Sequence, residues 1–308
     1  MKLWIRRMGL KLSVEAYKLL SPVDIKILQA IEKHMSSYEY VPLDAICRYI
    51  KYDEEFTFRA LRKLDDLGLV MRQKGPYMGF ILTSRGYDCL ALDFLVRNHV
   101  IKAVDVAPLG IGKEADVHKA ISTSGENVIL KFHRLGRTSF RQLRKLRDYA
   151  GDRRHISWLY YSRLAAEKEY EALRLLYSNS VKVPRPIFHN RHAVVMGFFD
   201  GIPLFHVPPL ENPMEIFANI VDNVRRSFLE AGVIHGDLSE YNVLVDPSSN
   251  EILIIDWPQW ISSIHPLASF YLRRDLENIC KFFRRKYRVG VDVEKIFKYV
   301  TGERESII

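Results

Sequence analysis

The segment His235-Gly236-Asp237-Leu238-Ser239-Glu240-Tyr241-Asn242 puts an acid and an amide five positions apart on what reads as one loop, and the apolar run Ile252-Leu253-Ile254-Ile255 ends on a second acid, Asp256. Phosphoryl transfer asks a protein for metal ligands, a group that orients the acceptor and positive charge on the phosphates, with little covalent help. Asp237 fits the orienting group, and Ser239 on the same loop is counted with the nucleotide-binding residues. Mg2+ favours hard oxygen ligands and takes only one or two carboxylates from protein, which Asn242 and Asp256 satisfy. Alone, each piece is an ordinary turn, cap or strand end. Their order along the chain carries the reading.

Positive charge is expected upstream. Leu109-Gly110-Ile111-Gly112-Lys113-Glu114-Ala115-Asp116-Val117 lies between two short apolar segments, so its glycines let backbone amides approach phosphates. In Val128-Ile129-Leu130-Lys131-Phe132, period-two alternation sets Lys131 on the face of Ile129, and a cation there needs an anion. Ala165, Glu169, Ala172, Leu173 and Leu176 form one helical stripe, with Glu169 the acid on its apolar side. Glu169 is expected to pair with Lys131 and fix the ammonium against the α- and β-phosphates; a surface acid equivalent to Glu167 and Glu171 is the competing reading. Ala193–Gly201 reads as a strand, whose crossover through Gly197, Phe198 and Phe199 offers backbone groups for an adenine edge, with Ile111, Val117, Ile129 and Met196 around its faces. Core packing explains those apolar residues equally well.

The elements that must position these residues begin with a separate module. Helical spacing runs over Val23–His34 after Ser21-Pro22, over Leu43–Ile50 after Pro42, and over Glu54–Leu67 up to Gly68. A hairpin around Lys74-Gly75-Pro76 and a helix over Arg85–Val96 complete a winged helix at residues 1–96. Between Lys51 and Leu67 four basic residues face five acidic ones, which weighs against sequence-specific DNA as its partner. Docking to protein or structured RNA is the expected role. Beyond it lie a strand-rich region from about 104 to 196 and a helical one from about 213 to 300.

Of 308 residues, 48% are apolar, enough for a substantial core, and the formal charge is +9. Much of that excess falls between Arg134 and Arg154, where eight basic residues stand against Asp148 and Asp152 and alternate with Phe140, Leu143, Leu146 and Tyr149. Arg137, Arg141, Arg144, Lys145 and Arg147 are the candidate contacts to RNA phosphates, with a solvated charge run as the alternative. Three scattered cysteines fit neither a disulfide scaffold nor a zinc cluster. No apolar run approaches the length that spans a bilayer, so a soluble, cytoplasmic protein without membrane association is expected.

Taken together, HGDLSEYNVLV, IDWPQ, Lys131-Phe132-His133 with Gly136, Thr138, Ser139 and Phe140, and Arg274-Asp275-Leu276-Glu277-Asn278-Ile279 resemble the RIO family of atypical serine/threonine protein kinases. The likeness is to the subfamily with an N-terminal winged helix found in archaea and eukaryotes, and it covers almost the whole chain. It implies an α+β protein: the winged helix-turn-helix domain, then a compact two-lobed protein-kinase-like domain at 97–308. The N-lobe would span about 97–196, the hinge about 196–201 and the C-lobe about 202–308. By the same resemblance Lys131 contacts phosphates, Glu169 holds it, Asp237 is the catalytic Asp, and Asn242 and Asp256 bind the metal, Mg2+ or Mn2+, beside ATP. The residue matching Asp256 is in that subfamily also an acceptor forming a transient aspartyl-phosphate. The resemblance further implies an ATPase cycle in maturation of the small ribosomal subunit, on a precursor of rRNA and ribosomal proteins. Two departures stand out: Ala115 replaces a frequent Ser of the nucleotide loop, and Gly197 replaces a frequent hinge acid.

Missing parts narrow the substrate. Trp257-Pro258 stands where Phe-Gly is usual, and no Ala-Pro-Glu closes an activation segment, so the platform for ordinary peptide substrates and its subdomains is absent. Two rivals remain at this point. A small-molecule kinase of the aminoglycoside or choline type uses similar HGD and Ile-Asp-Trp elements, and a nucleotide-binding RNA scaffold needs no turnover.

Overall fold

The computed structural model describes residues 9–75, 77–112, 114–135 and 158–307. The backbone divides into two compact units, residues 1–164 with 190–193, and residues 165–189 with 194–308. Lys113 and all five candidate RNA contacts, Arg137, Arg141, Arg144, Lys145 and Arg147, lie outside the described residues.

The first unit opens with the winged helix: α1 (Gly9–Tyr17), α2 (Pro22–His34), β1 (Val41–Pro42), α3 (Leu43–Ile50), α4 (Glu54–Asp66), β2 (Val70–Lys74), β3 (Met78–Leu82) and α5 (Ser84–Arg97). Local chemistry sets the boundaries. Ser21 caps α2 by accepting from Asp24 N–H while Asp24 Oδ2 accepts from Ser21 N–H at 2.8 Å, and Pro22 fills the first turn where no N–H is needed. Asp53 caps α4 by accepting from Phe56 N–H at 2.8 Å. Gly68 then turns the chain at φ +66°, where an added Cβ would strike the Arg85 guanidinium. Ile27, Leu28, Ile31, Ile46, Leu61, Leu64, Phe80 and Leu90 close the core, each large side chain contributing about 1.5–3 kcal/mol. Two elements were not anticipated: α1, and β1, which pairs Val41 with Phe80 at the edge of the β2–β3 hairpin.

After α5 come β4 (Ile101–Ile111), β5 (Ala115–Ser122) and β6 (Asn127–His133), an antiparallel meander. A buried ion cluster ties it to the winged helix within this unit. Arg134, 1% exposed, donates from Nη2 to Asp88 Oδ2 on α5 at 2.9 Å, from Nη1 to the other oxygen of Asp88, and from Nε to Asp116 Oδ2 on β5 at 2.9 Å. Asp88 also accepts from Ser13 Oγ on α1 at 2.9 Å, and His192 Nε2 lies 2.8 Å from Asp88 Oδ1. The sequence groups Arg134 with the basic stretch, but its charge is internal, spent on two carboxylates, and does not face a nucleic acid.

The second unit holds the greater part of α6 (Trp158–Ser178), then β7 (Pro186–Asn190) paired with β8 (Ala193–Gly197), β9 (Ile202–Pro203), α7 (Pro213–Leu229), β10 (Val233–Ile234), β11 (Val243–Val245), β12 (Ile252–Ile254), β13 (Ile261–Ser262), α8 (Ala268–Tyr287) and α9 (Val293–Thr301). The stripe on α6 is buried as its spacing implies: Ala172 and Leu176 are fully enclosed, and Glu169 is 1% exposed. No helix among the described residues is long and apolar enough to cross a membrane.

Candidate active site

Three expected residues meet in the second unit, at one end of the β11–β12 hairpin. Its register is Val243↔Ile254 and Val245↔Ile252, all four side chains buried, and Asp246 shapes the turn by accepting from Ser248 N–H at 2.8 Å. Asn242 therefore enters the hairpin opposite the point where Ile255 leaves it, and Ile255 N–H donates to Asn242 O at 2.9 Å. Asp256 follows at once, in the left-handed region at φ +70°, a conformation that costs a non-glycine residue about 1–2 kcal/mol. Asn242 Nδ2 donates to Asp237 O at 2.9 Å, so its Oδ1 is the atom left to offer a cation. The carboxylates of Asp237 and Asp256 are on exposed residues.

His235 joins the two acidic segments. Its Nε2–H donates to Ile255 O at 3.0 Å, and its Nδ1 accepts from Asp237 N–H at 3.3 Å. Burial lowers its pKa despite the Ile255 carbonyl and nearby acids, which keeps the ring neutral as that pair of bonds requires. Gly236 between them sits at φ +77°, and a Cβ there would come within 2.9 Å of Gln259 O. Trp257, 2% exposed, packs against His235 in a tilted ring pair at 4.5 Å between centres and donates from Nε1 to Ile254 O at 3.0 Å. The Glu169 carboxylate accepts from Trp257 N–H at 3.4 Å, one residue beyond Asp256.

Below the loop, α8 supplies residues of the Arg274–Ile279 motif, to which the sequence alone assigns no role. Asp275, 1% exposed, accepts from Gly236 N–H at 2.7 Å and Leu238 N–H at 3.1 Å. Arg274 donates to Gly236 O, and Asn278 to Leu238 O at 3.0 Å. Burial pushes Asp275 up to about 7, outweighing the two N–H donors and Arg274. The available signal was a cluster of polar residues interrupting the buried stripe Leu272, Leu276, Ile279 and Phe283.

The remaining candidates belong to the first unit or to the exit strand. Gly110 pairs with Val117 and Val117 with Lys131, so the three form one row across the meander, with Ile111 opposite Asp116. Gly112 N–H closes the turn on Ala115 O at 2.8 Å, and Glu114 O accepts from Arg134 N–H. Val128, Leu130 and Phe132 are fully buried on one face of β6; Lys131, on the other, is 7% exposed. Met196 is buried at the end of β8, and Gly197 N–H donates to Arg185 O at 2.8 Å, so what Gly197 can offer an adenine edge is its carbonyl. Lys131 belongs to the first unit and Glu169 to the second.

An Asp–Asn loop against a strand that ends in a second Asp, preceded by a glycine turn and a strand lysine, defines a kinase-like phosphotransferase. The RIO domain family matches residues 116–296, and the family described as Rio2, N-terminal matches residues 17–98. A RIO-type serine/threonine-protein kinase Rio2 of Methanocaldococcus jannaschii is 41% identical over 87% of this chain and 100% of its own length. The serine/threonine-protein kinase rio2 of Schizosaccharomyces pombe is 35% identical over 96% of this chain and 85% of its own. Among solved structures, the Rio2 kinase–ADP/Mg2+–phosphoaspartate complex from Chaetomium thermophilum is similar at a TM-score of 0.80 and 34% identity, covering 92% of this chain and 88% of that one. The chain belongs to the RIO family of serine/threonine-protein kinases, in the branch that carries a Rio2 N-terminal winged helix.

Proposed function

We propose that this RIO kinase is an ATP- and Mg2+-dependent kinase and ATPase whose cycle passes through a transient aspartyl-phosphate at Asp256, acting in maturation of the small ribosomal subunit. The observation that carries the site assignment is the common end of the β11–β12 hairpin, where Asn242 Oδ1 and the Asp256 carboxylate supply hard oxygens beside Asp237. Among the described residues no three His, Cys, Asp or Glu side chains form a closed cage, which suits a cation completed by phosphate and water. Bound Mg2+ would neutralise charge that develops on the phosphoryl oxygens.

The chain's own residues do the rest. In the first unit the amides of the glycine turn at Gly110 and Gly112 and the charge of Lys131 suit phosphates; in the second, Met196, the Gly197 carbonyl and Phe199 suit the base. A carboxylate oxygen of Asp256 attacks the γ-phosphorus in line, the bond to the β-bridging oxygen breaks, and ADP leaves. Water then attacks the acyl phosphate, oriented by Asp237, and releases phosphate. The ADP, Mg2+ and phosphoaspartate of the Chaetomium thermophilum complex support this reading.

Asp256→Asn should lower ATP turnover on the order of 100-fold or more while ADP still binds. Unchanged turnover refutes the role of Asp256. Incubation with γ-32P-ATP should leave acid-stable, hydroxylamine-labile label on the wild type and none on Asp256→Asn. The ribosomal assignment requires that label or turnover respond to purified small-subunit precursors; indifference to them removes it.

A further inference from the structure

Lys286, near the C-terminal end of α8, directs its ammonium at three carbonyls of a single turn: Val207 O at 2.8 Å, Phe205 O at 3.1 Å and Leu204 O at 3.5 Å. An ammonium has three N–H donors, so one side chain bonds the Phe205 and Val207 carbonyls and shares Leu204 O with Val207 N–H, across the short 3-10 turn Leu204–His206 and the residue after it. The rings of Phe282 and Tyr287 flank it, with centres 5.5 and 5.3 Å from Nζ. The turn continues β9, whose Ile202 and Pro203 pair with Val245 and Leu244 of β11. It carries Phe205, and the Phe205 ring lies 4.5 Å from that of Tyr241. Tyr241 sits between Glu240 and Asn242, is 59% exposed, and makes no hydrogen bond among the described residues. Its ring contact with Phe205 adds to the backbone bond from Asn242 N–H to Ser239 O at 3.0 Å in restraining the loop just before Asn242.

We infer that Lys286 and Phe205 are positioning residues for the metal-binding end of the catalytic loop: Lys286 fixes the 3-10 turn, the turn fixes Phe205, and Phe205 holds Tyr241 and with it Asn242. Neither residue belongs to the proposed metal or nucleotide contacts. The inference rests on the proposed role of Asn242 as a metal ligand and adds the device that sets its geometry. A general structural role would weaken all nucleotide binding alike; this device acts only on the part of the affinity that depends on the cation.

Calorimetric titration of ADP with and without Mg2+ tests it on the intact chain. Wild type should bind ADP more tightly when Mg2+ is present; no such gain would overturn the metal assignment itself, independently of Lys286. Lys286→Met and Phe205→Ala should each reduce the Mg2+-dependent gain about fivefold, the scale of a lost aromatic contact, and leave metal-free ADP affinity within about twofold. Lys286→Arg, which keeps charge and donors, should restore the gain, and the double variant should be no worse than either single one because both act through the same turn. If Lys286→Met does not fold, Phe205→Leu and Phe205→Ala carry the same test through the ring alone. A gain equal to wild type in these variants, or an equal loss with and without Mg2+, overturns the inference.

Discussion

Asp88 in the first unit and Asp275 in the second are each 1% exposed, and each supports a segment that the proposed chemistry needs. Their protons behave oppositely. Burial opposes ionisation of Asp88, but the Arg134 guanidinium, bonded to both of its oxygens, holds its carboxyl well below the usual range. Burial likewise opposes ionisation of Asp275, and there it prevails, because its partners are two backbone N–H dipoles while Arg274 is spent on Gly236 O. Equal burial therefore gives opposite titration according to whether the partner is a full charge or a dipole. The first arrangement locks the winged helix and the β4–β6 meander as one charged cluster; the second leaves the loop from His235 to Asn242 on a carboxyl that titrates near neutrality.

The hardest test of the contrast removes the full charge. Arg134→Leu leaves the buried carboxylates of Asp88 and Asp116 without it, and should destabilise the first unit by roughly 3–5 kcal/mol. The shift is read from the urea midpoint and from amide exchange in α5 and β5. Adding Asp88→Asn and Asp116→Asn to that background should recover much of the loss, since uncompensated charge is its main cause. No recovery would mean that packing of the guanidinium, and not charge, holds the cluster.

The second test uses Asp275. Its folded pKa of about 7 lies above the unfolded carboxyl value, so between pH 4 and 7 the folded state binds more protons. Stability from this group is fully present below about pH 4 and is lost as pH rises through about 7, by up to about 4 kcal/mol. Asp275→Asn should remove that downward slope. A variant with the wild-type pH profile would show that Asp275 does not titrate in this window.

How much of this was legible in the sequence depended on range. α2, α3 and α4 follow their predicted limits to within a residue because caps and proline act locally. Asp237, Asn242 and Asp256 were legible for a related reason: a loop and a two-stranded hairpin place them, and no distant segment is needed. By contrast α1 has no start signal, and it docks through Ser13 on Asp88, 75 positions away. Arg134 read as the first residue of a basic stretch because its acids lie 18 and 46 positions upstream. The role of Asp275 was hidden for the same reason, since its N–H donors are 39 and 37 positions away. Periodicity marks which face of an element is apolar, but it does not say which polar residue a buried charge will meet.

The smallest expected effect belongs to His192, which completes the first cluster. It is fully buried, its ring stacks on Tyr87 at 4.6 Å, and burial pushes it down to about 4 against the pull of Asp88. Here the unfolded state binds more protons between about pH 4 and 6.5, so stability falls as pH drops through that window, by up to about 3 kcal/mol. That slope is opposite in sign to the one from Asp275, and the two overlap between pH 4 and 6.5. Amide exchange separates them by location: acidification should loosen α5 and β6 while it tightens the loop from His235 to Asn242. His192→Phe keeps a ring between Tyr87 and Phe132 and should abolish only the first response. If α5 still loosens in acid to the same extent in that variant, His192 is not the group that takes up the proton.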